Sequence, residues 1–254
     1  MRMSLSSAKA AAALLGILSI ARLSAQSLSG QEVMDRYYGT AKPKTSIVTM
    51  SMVISKNGRE LSRTLKTWRS GDSNKGEVEK SMMKFLSPAD IKGSGFLSLK
   101  KADGSTESLL YLPALGRVRR LSSGASDQDS SFFGSDFSNR DIGGFVESDF
   151  DYENKGLSEG FYRIEATPRR DLGYSMLVYY IDSSDFLQKK VEYYRAGKLA
   201  KTELLSYAEV QGYRQPLEIL MSSVSGSTTT LKMSEYSLDS GFPEQLFTER
   251  YLKQ

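Results

Sequence analysis

From about position 45 to position 236 apolar residues recur mainly at every second position, the period of a half-buried strand. Val48, Met50, Met52 and Ile54 alternate with Thr49, Ser51 and Val53, and Asn57-Gly58 then supplies a strong hairpin signal. The return run passes Leu61, Arg63, Leu65 and Trp68 to a polar turn at 70–76. Similar runs occupy 78–86, 96–101 and 107–112, and later 161–167, 174–181, 186–194, 198–210, 217–224 and 228–236. Turn residues such as Asp182-Ser183-Ser184-Asp185, Ala196-Gly197 and Ser225-Gly226-Ser227 separate them. Ten or eleven strands spaced about ten residues apart predict a mainly β fold, an antiparallel meander that curls into a barrel or half-barrel.

A helical period interrupts this pattern at two places. Ser29-Gly30-Gln31-Glu32 is a capping box, followed by Val33/Tyr37 and Met34/Tyr38 at i, i+4, with Gly39 and Pro43 closing the segment. Ser138-Asn139-Arg140-Asp141 has the same form and is ended by Gly143-Gly144. It belongs to a long irregular stretch from Pro113 to Gly144, which in a regular meander is either a functional lid or a disordered loop. Phe132, Phe133 and Phe137 argue against plain disorder. Neither an internal repeat nor a linker divides the chain, so residues 26–254 are expected to form one domain.

Composition narrows the chemistry. The 254 residues include no His and no Cys, which excludes a Ser-His-Asp triad, a cysteine nucleophile, and zinc, haem or iron–sulfur sites built on those side chains. The formal charge of +4 comes largely from Arg2, Lys9 and Arg22; positions 26–254 carry 31 basic and 30 acidic residues. Bulk charge therefore gives no support to a nucleic-acid partner. Those three cations flank Ala10 to Ala21, an apolar stretch followed by Leu23-Ser24-Ala25, the pattern of a signal peptide cleaved after Ala25. Export without cysteine fits a bacterial periplasm.

No enzyme is expected. Ser81–Lys84 and Ser98–Lys101 match Ser-x-x-Lys but lack the companion motifs, and Asp127-Gln128-Asp129 fails the calcium-loop template. We expect no metal and no cofactor. Arg117, Arg119 and Arg120 form the one compact basic group, suited to an anionic headgroup or an acidic partner surface. Met50, Met52, Met82, Met83, Met176, Met221 and Met233 are numerous for one β domain, and methionine suits a surface that accepts variable apolar guests.

Three segments carry a resemblance: Phe85-Leu86-Ser87-Pro88-Ala89-Asp90-Ile91-Lys92-Gly93-Ser94-Gly95-Phe96-Leu97, Leu110-Tyr111-Leu112-Pro113-Ala114-Leu115-Gly116-Arg117-Val118-Arg119-Arg120, and Phe133-Gly134-Ser135-Asp136-Phe137-Ser138-Asn139-Arg140-Asp141. With a weaker match at Phe247 to Leu252, they make the chain resemble the outer-membrane lipoprotein-sorting proteins, the LolA/LolB-like periplasmic carriers. The resemblance implies an incomplete, half β-barrel made from a curved antiparallel sheet, with short helices covering its concave face. It also implies a cavity for lipid or lipoprotein acyl chains in transit toward the outer membrane. Transient membrane contact and an inner-membrane exporter of the RND type as partner belong to the same expectation. The competing expectation is a module that docks such an exporter, or an outer-membrane assembly, by protein contacts alone.

On that frame the alternation offers Met50, Met52, Leu97, Leu99, Leu110, Leu112, Met176, Val178 and Tyr180 as cavity residues, with Trp68 beside them. Val33 and Tyr37 on the first helix, and Phe132, Phe133 and Phe137 on the loop, are the expected lid. Arg117, Arg119 and Arg120 are the expected headgroup or partner contacts.

Overall fold

The computed structural model describes residues 28–122 and 125–254; the expected leader and its cleavage point lie outside them. A single antiparallel sheet dominates. Its first meander holds β1 (Thr45–Lys56), β2 (Arg59–Ser70), β3 (Glu79–Ser87), β4 (Gly95–Lys100), β5 (Thr106–Leu112) and β6 (Arg117–Leu121). The second holds β7 (Phe150–Ser158), β8 (Phe161–Pro168), β9 (Met176–Asp182), β10 (Gln188–Arg195), β11 (Lys198–Val210), β12 (Tyr213–Ser223) and β13 (Thr228–Leu238). Pairing of β1 with β13 joins the meanders into 13 strands, ordered β6-β5-β4-β3-β2-β1-β13-β12-β11-β10-β9-β8-β7. The terminal strands β6 and β7 do not pair, so the sheet stays open.

Thirteen strands spaced about 4.8 Å apart would span roughly 60 Å if flat. Instead Phe85 and Phe96 of the first meander share one buried cluster with Leu177 and Tyr193 of the second. The sheet therefore curls around its own interior, as a half-barrel. The Asn57-Gly58 hairpin is as expected: both residues are left-handed, with φ of 52° and 71°, in a turn whose twist matches its strands.

Helix α1 (Gly30–Tyr38) starts at the expected capping box, with the Glu32 backbone N–H donating to Ser29 Oγ and the Ser29 backbone N–H to Glu32 Oε2 at 2.7 Å. It lies on the concave side, burying Val33, Met34 and Tyr38. A Cβ on Gly30 would sit 2.5 Å from the Tyr152 carbonyl oxygen, so the absence of a side chain lets α1 seat directly on β7.

The outer face is covered only in part. A turn at Glu244–Phe247 and α4 (Glu249–Leu252, the last of four helices, after two in the crossing described below) pack Leu246, Phe247 and Leu252 on Met82, Leu97 and Leu109. The Lys84 ammonium donates to the carbonyls of Leu252 and Gly93 at 2.7 and 3.0 Å.

Two strands were not legible in the alternation. Arg117–Leu121, expected to be part of an irregular lid, is edge strand β6; its arginines hide the period, and an edge strand needs a partner on one side only. Phe150–Ser158 is β7, whose Asp, Glu, Asn and Lys residues read as loop. The irregular crossing is therefore shorter than expected, running from 122 to 149.

Candidate functional site

The crossing from β6 to β7 traverses the open concave face. It contains α2 (Ala125–Gln128) and α3 (Asn139–Gly143). Its tip is pinched where Ser131 bridges Ser138 and the Phe132 N–H donates to the Phe137 carbonyl at 2.8 Å. Phe133 and Gly134 both take left-handed φ, 50° and 79°, which turns the aromatic pair into the sheet. Left-handed backbone is costly for Phe and persists only where neighbours enforce it. Here the Arg63 guanidinium donates to the Phe133 carbonyl. Phe132 is fully buried, 6.1 Å from Phe85 and 5.5 Å edge-on from Phe96 between ring centroids; Phe133 lies 4.5 Å from Phe85. The crossing is a strap whose aromatic tip fills the apolar end of the interior.

Polar anchors hold it. The Ser227 and Thr229 hydroxyls donate to the Asp136 carboxylate, the latter at 2.8 Å, tying the strap to β13 and the turn before it. The second anchor is Asp141, the third residue of α3 and the one that closes its capping box, whose carboxylate pairs with Lys201 of β11 and accepts from Tyr174 at 2.8 Å. Both partners of the ion pair are buried. Burial alone would lower the Lys201 pKa; Asp141 and Tyr174 outweigh it and hold the ammonium above its ordinary value. Asp127 and Asp129, the residues of the failed calcium template, pair with Arg119 and Arg140. Among the described residues no cluster of acidic side chains is placed to hold a metal ion.

The interior changes character along the strands. Leu65, Met83, Phe85, Phe96, Met52 and Ile54 form one end. The same faces of β2, β3 and β4 continue through Thr67, Ser81 and Ser98 to Arg69, Glu79 and Lys100. At that polar end lies a cavity of about 590 Å³, walled by Tyr37, Tyr179, Tyr193, Tyr207, Glu203 and the loop at 40–44. The Tyr193 hydroxyl donates to Glu203 at 2.7 Å. Burial raises the Glu203 pKa to about 7, with the Asp141 charge adding to the rise and the Tyr193 hydrogen bond opposing it. An acid whose pKa is higher folded than unfolded binds more protons in the native state. Stability should therefore fall as pH rises from about 4.5 to 7, and Glu203→Gln should flatten that slope in thermal melts between pH 4 and 8.

A second cavity, about 450 Å³, opens at the free edge between Leu110, Leu112, Leu115, Arg117, Val118 and Arg119. Leu110 pairs with Arg119 and Leu112 with Arg117, so these two arginines share the concave face with the leucines.

Met50 and Met52 lie in the interior cluster, Leu110 packs against it and Leu112 lines the edge cavity. Val33, Phe132 and Phe137 are buried on the concave side, with Tyr37 and Phe133 partly exposed beside them. Six of the expected cavity residues are elsewhere. Trp68, Leu97 and Leu99 face outward beneath the C-terminal segment. Met176, Val178 and Tyr180 also face outward, because Leu177, Tyr179 and Ile181 take the inner face of β9. Both faces of β9 are apolar, with Lys190 4.6 Å from the Tyr180 ring outside; on β4 the leucines are the more apolar set yet point outward, where the C-terminal segment covers them, while Phe96, Ser98 and Lys100 point in. Alternation alone then does not say which set points in. Arg120 pairs with Glu107 and sits opposite Leu109, on the outer face, so the basic group is split between the two sides.

Arg69, Glu79, Lys100, Lys201 and Glu203 are interior residues that the apolar alternation does not single out. Their signal is a polar residue at the phase of the inward apolar ones, as in Glu79, Ser81, Met83 and Phe85.

Residues 77–254 match the model of a family described only as uncharacterized protein. No curated protein matches the chain. A Vibrio parahaemolyticus domain provisionally assigned as an outer membrane lipoprotein-sorting protein superposes with a TM-score of 0.80 at 26% identity, covering 89% of this chain and 98% of its own. A DUF1329 family protein from Desulfovibrio piger gives 0.81 at 26% identity, over 88% and 97%. A LolA superfamily protein from Nitrosomonas europaea shares the fold, with a TM-score of 0.68 at 20% identity over 88% and 99%.

Proposed function

We propose, from the premise that this chain belongs to the LolA-like family, that it is a non-catalytic periplasmic carrier that binds lipid or lipoprotein acyl chains inside the half-barrel. The carrying observation is the strap: an open concave face, apolar at one end, is covered by a segment whose aromatic tip occupies the space an acyl chain would take. Burying a chain is worth about 0.8 kcal/mol per methylene, so a dozen methylenes supply roughly 10 kcal/mol before association costs. Part of that drives out Phe132 and Phe133, so binding and strap withdrawal are coupled. Leu110, Leu112 and Arg117 at the free edge, with Arg119 held by Asp127 beside them, give an entering acyl chain an amphipathic doorway. Delivery toward the outer membrane and an inner-membrane RND-type exporter as donor complete the proposal; the family resemblance alone supports them, and no residue is assigned to either.

One observation favours a second reading, a docking module that carries nothing: the apolar end of the interior is already filled by Phe132 and Phe137. Native mass spectrometry of detergent-free protein separates the two. A carrier shows a stoichiometric adduct of acyl-chain mass, or takes one up from added phospholipid or lipopeptide. A docking module stays at its bare mass under both conditions.

A further inference from the structure

The polar end of the interior is not needed to hold an acyl chain, and its charges are unbalanced. Lys42, Lys44, Arg69, Lys75, Lys100 and Arg214 line the 590 Å³ cavity, against Asp72, Glu77, Glu79, Asp141 and Glu203. Asp141 is taken by Lys201, Glu203 accepts from Tyr193, and Arg214 lies 3.7 Å from Asp185 outside the cavity wall. That leaves five cations facing four carboxylates, Glu203 among them with only a neutral tyrosine as its partner. The pairing within this set is shared. Glu79 serves both Arg69, at 2.7 Å, and buried Lys100, at 3.3 Å; Asp72 sits between Lys42 and Lys75, at 3.5 and 3.8 Å. Burial, with Arg69 adding to it, holds Lys100 below the ordinary lysine range despite Glu79. Lys100 alone of the five is buried and the others stand part-exposed around the cavity, where a concave excess of cations favours an anion.

We propose that this chamber is an anion site for a phosphate group, with Arg69 and Lys42 as its contacts. Arg69 is half exposed and keeps donors free beyond Glu79, and its planar fork suits a phosphate's oxygens. Lys42 stands on the loop at the mouth. The tyrosine wall is amphipathic and leads toward the apolar end beyond. Resting on the carrier reading, the site selects phosphate-bearing amphiphiles: the head seats among Arg69 and Lys42 while the chain lies where the strap now sits. Free phosphate shares that chemistry and is the other possible source.

Titration calorimetry tests this with three probes: a lysophosphatidic acid, the monoacylglycerol of the same chain length, and inorganic phosphate. The lysophosphatidic acid should bind at least about ten-fold more tightly than the neutral lipid. Arg69→Gln with Lys42→Gln should erase that preference without changing monoacylglycerol affinity. Folding is protected in the variant, because Glu79 keeps Lys100 and Ser73, at 3.1 Å, and Asp72 keeps the Asn74 N–H on Oδ1 and Lys75, at 3.8 Å, beside Oδ2. Lys42→Gln alone should give a partial loss. Tight binding of phosphate by itself, lost in the double variant, keeps the anion site and names the free ion as its ligand; if the lipids then fail to bind, the carrier reading falls separately. Equal affinity for the two lipids in wild type and variant overturns the anion site and leaves the carrier standing. No binding of any probe overturns both.

Discussion

Lys201→Met should destabilise the protein by about 3–5 kcal/mol, the usual cost of breaking a buried ion pair from one side. The substitution strands the Asp141 carboxylate on the strap, 2% exposed, with the Tyr174 hydroxyl as its remaining partner from outside the strap. Lys201 also donates to the Asp136 carbonyl at 3.2 Å and lies over the Tyr174 and Tyr193 rings, so one side chain joins both strap anchors to β11. The loss should be local before it is global. Hydrogen exchange across 127–147 should accelerate at temperatures where the β1–β13 core remains protected. Lys201→Met with Asp141→Leu removes both charges and should recover much of the stability, because the penalty lies in the unpaired ion. If the single and double variants melt together near the wild type, the pair is not the latch.

Phe132→Ala is the second large effect. Removing a fully buried Phe from a packed interior costs about 3–5 kcal/mol, and Phe85, Phe96 and Phe133 all lose a ring partner. A structural residue and a strap residue part company in binding. If the closed strap must leave before a chain enters, apparent affinity is reduced by the fraction of molecules that are closed. Weakening the closed state by even about 1.4 kcal/mol should then raise acyl affinity up to ten-fold. The variant is thus expected to melt lower and bind better. Melting lower and binding worse would make Phe132 part of the cargo wall instead.

What the sequence discloses and what it hides follow from the same physics. The starts of α1 and α3 are legible because Ser29/Glu32 and Ser138/Asp141 encode their caps locally. The hairpin at Asn57-Gly58 is legible for the same reason. β6 and β7 are hidden because an edge strand with one partner can be polar, and Arg117 to Arg120 and Asp151 to Lys155 are. The inner face of β9 is hidden because Val178 is as buried as Leu177, so period two is present but its phase carries no direction. The aromatic tip was visible as Phe132, Phe133 and Phe137. The latch was not, since Asp141 and Lys201 are 60 positions apart and each reads as an ordinary surface charge. The cationic chamber likewise assembles Lys42, Arg69, Glu79 and Lys100 from a loop and three strands, and only the pairing of β2, β3 and β4 brings the last three to one wall.

On the carrier reading, cargo and strap compete for one space. Because the chain has no cysteine, a single staple can be introduced cleanly at Asp136→Cys and Thr229→Cys, whose native groups hydrogen bond at 2.8 and 2.9 Å. The measurement is uptake of a phospholipid by this variant, oxidised and then reduced, read by native mass spectrometry. Uptake abolished on oxidation and restored on reduction is the result predicted here. Equal uptake in both states would contradict it, showing that acyl chains enter without moving the strap.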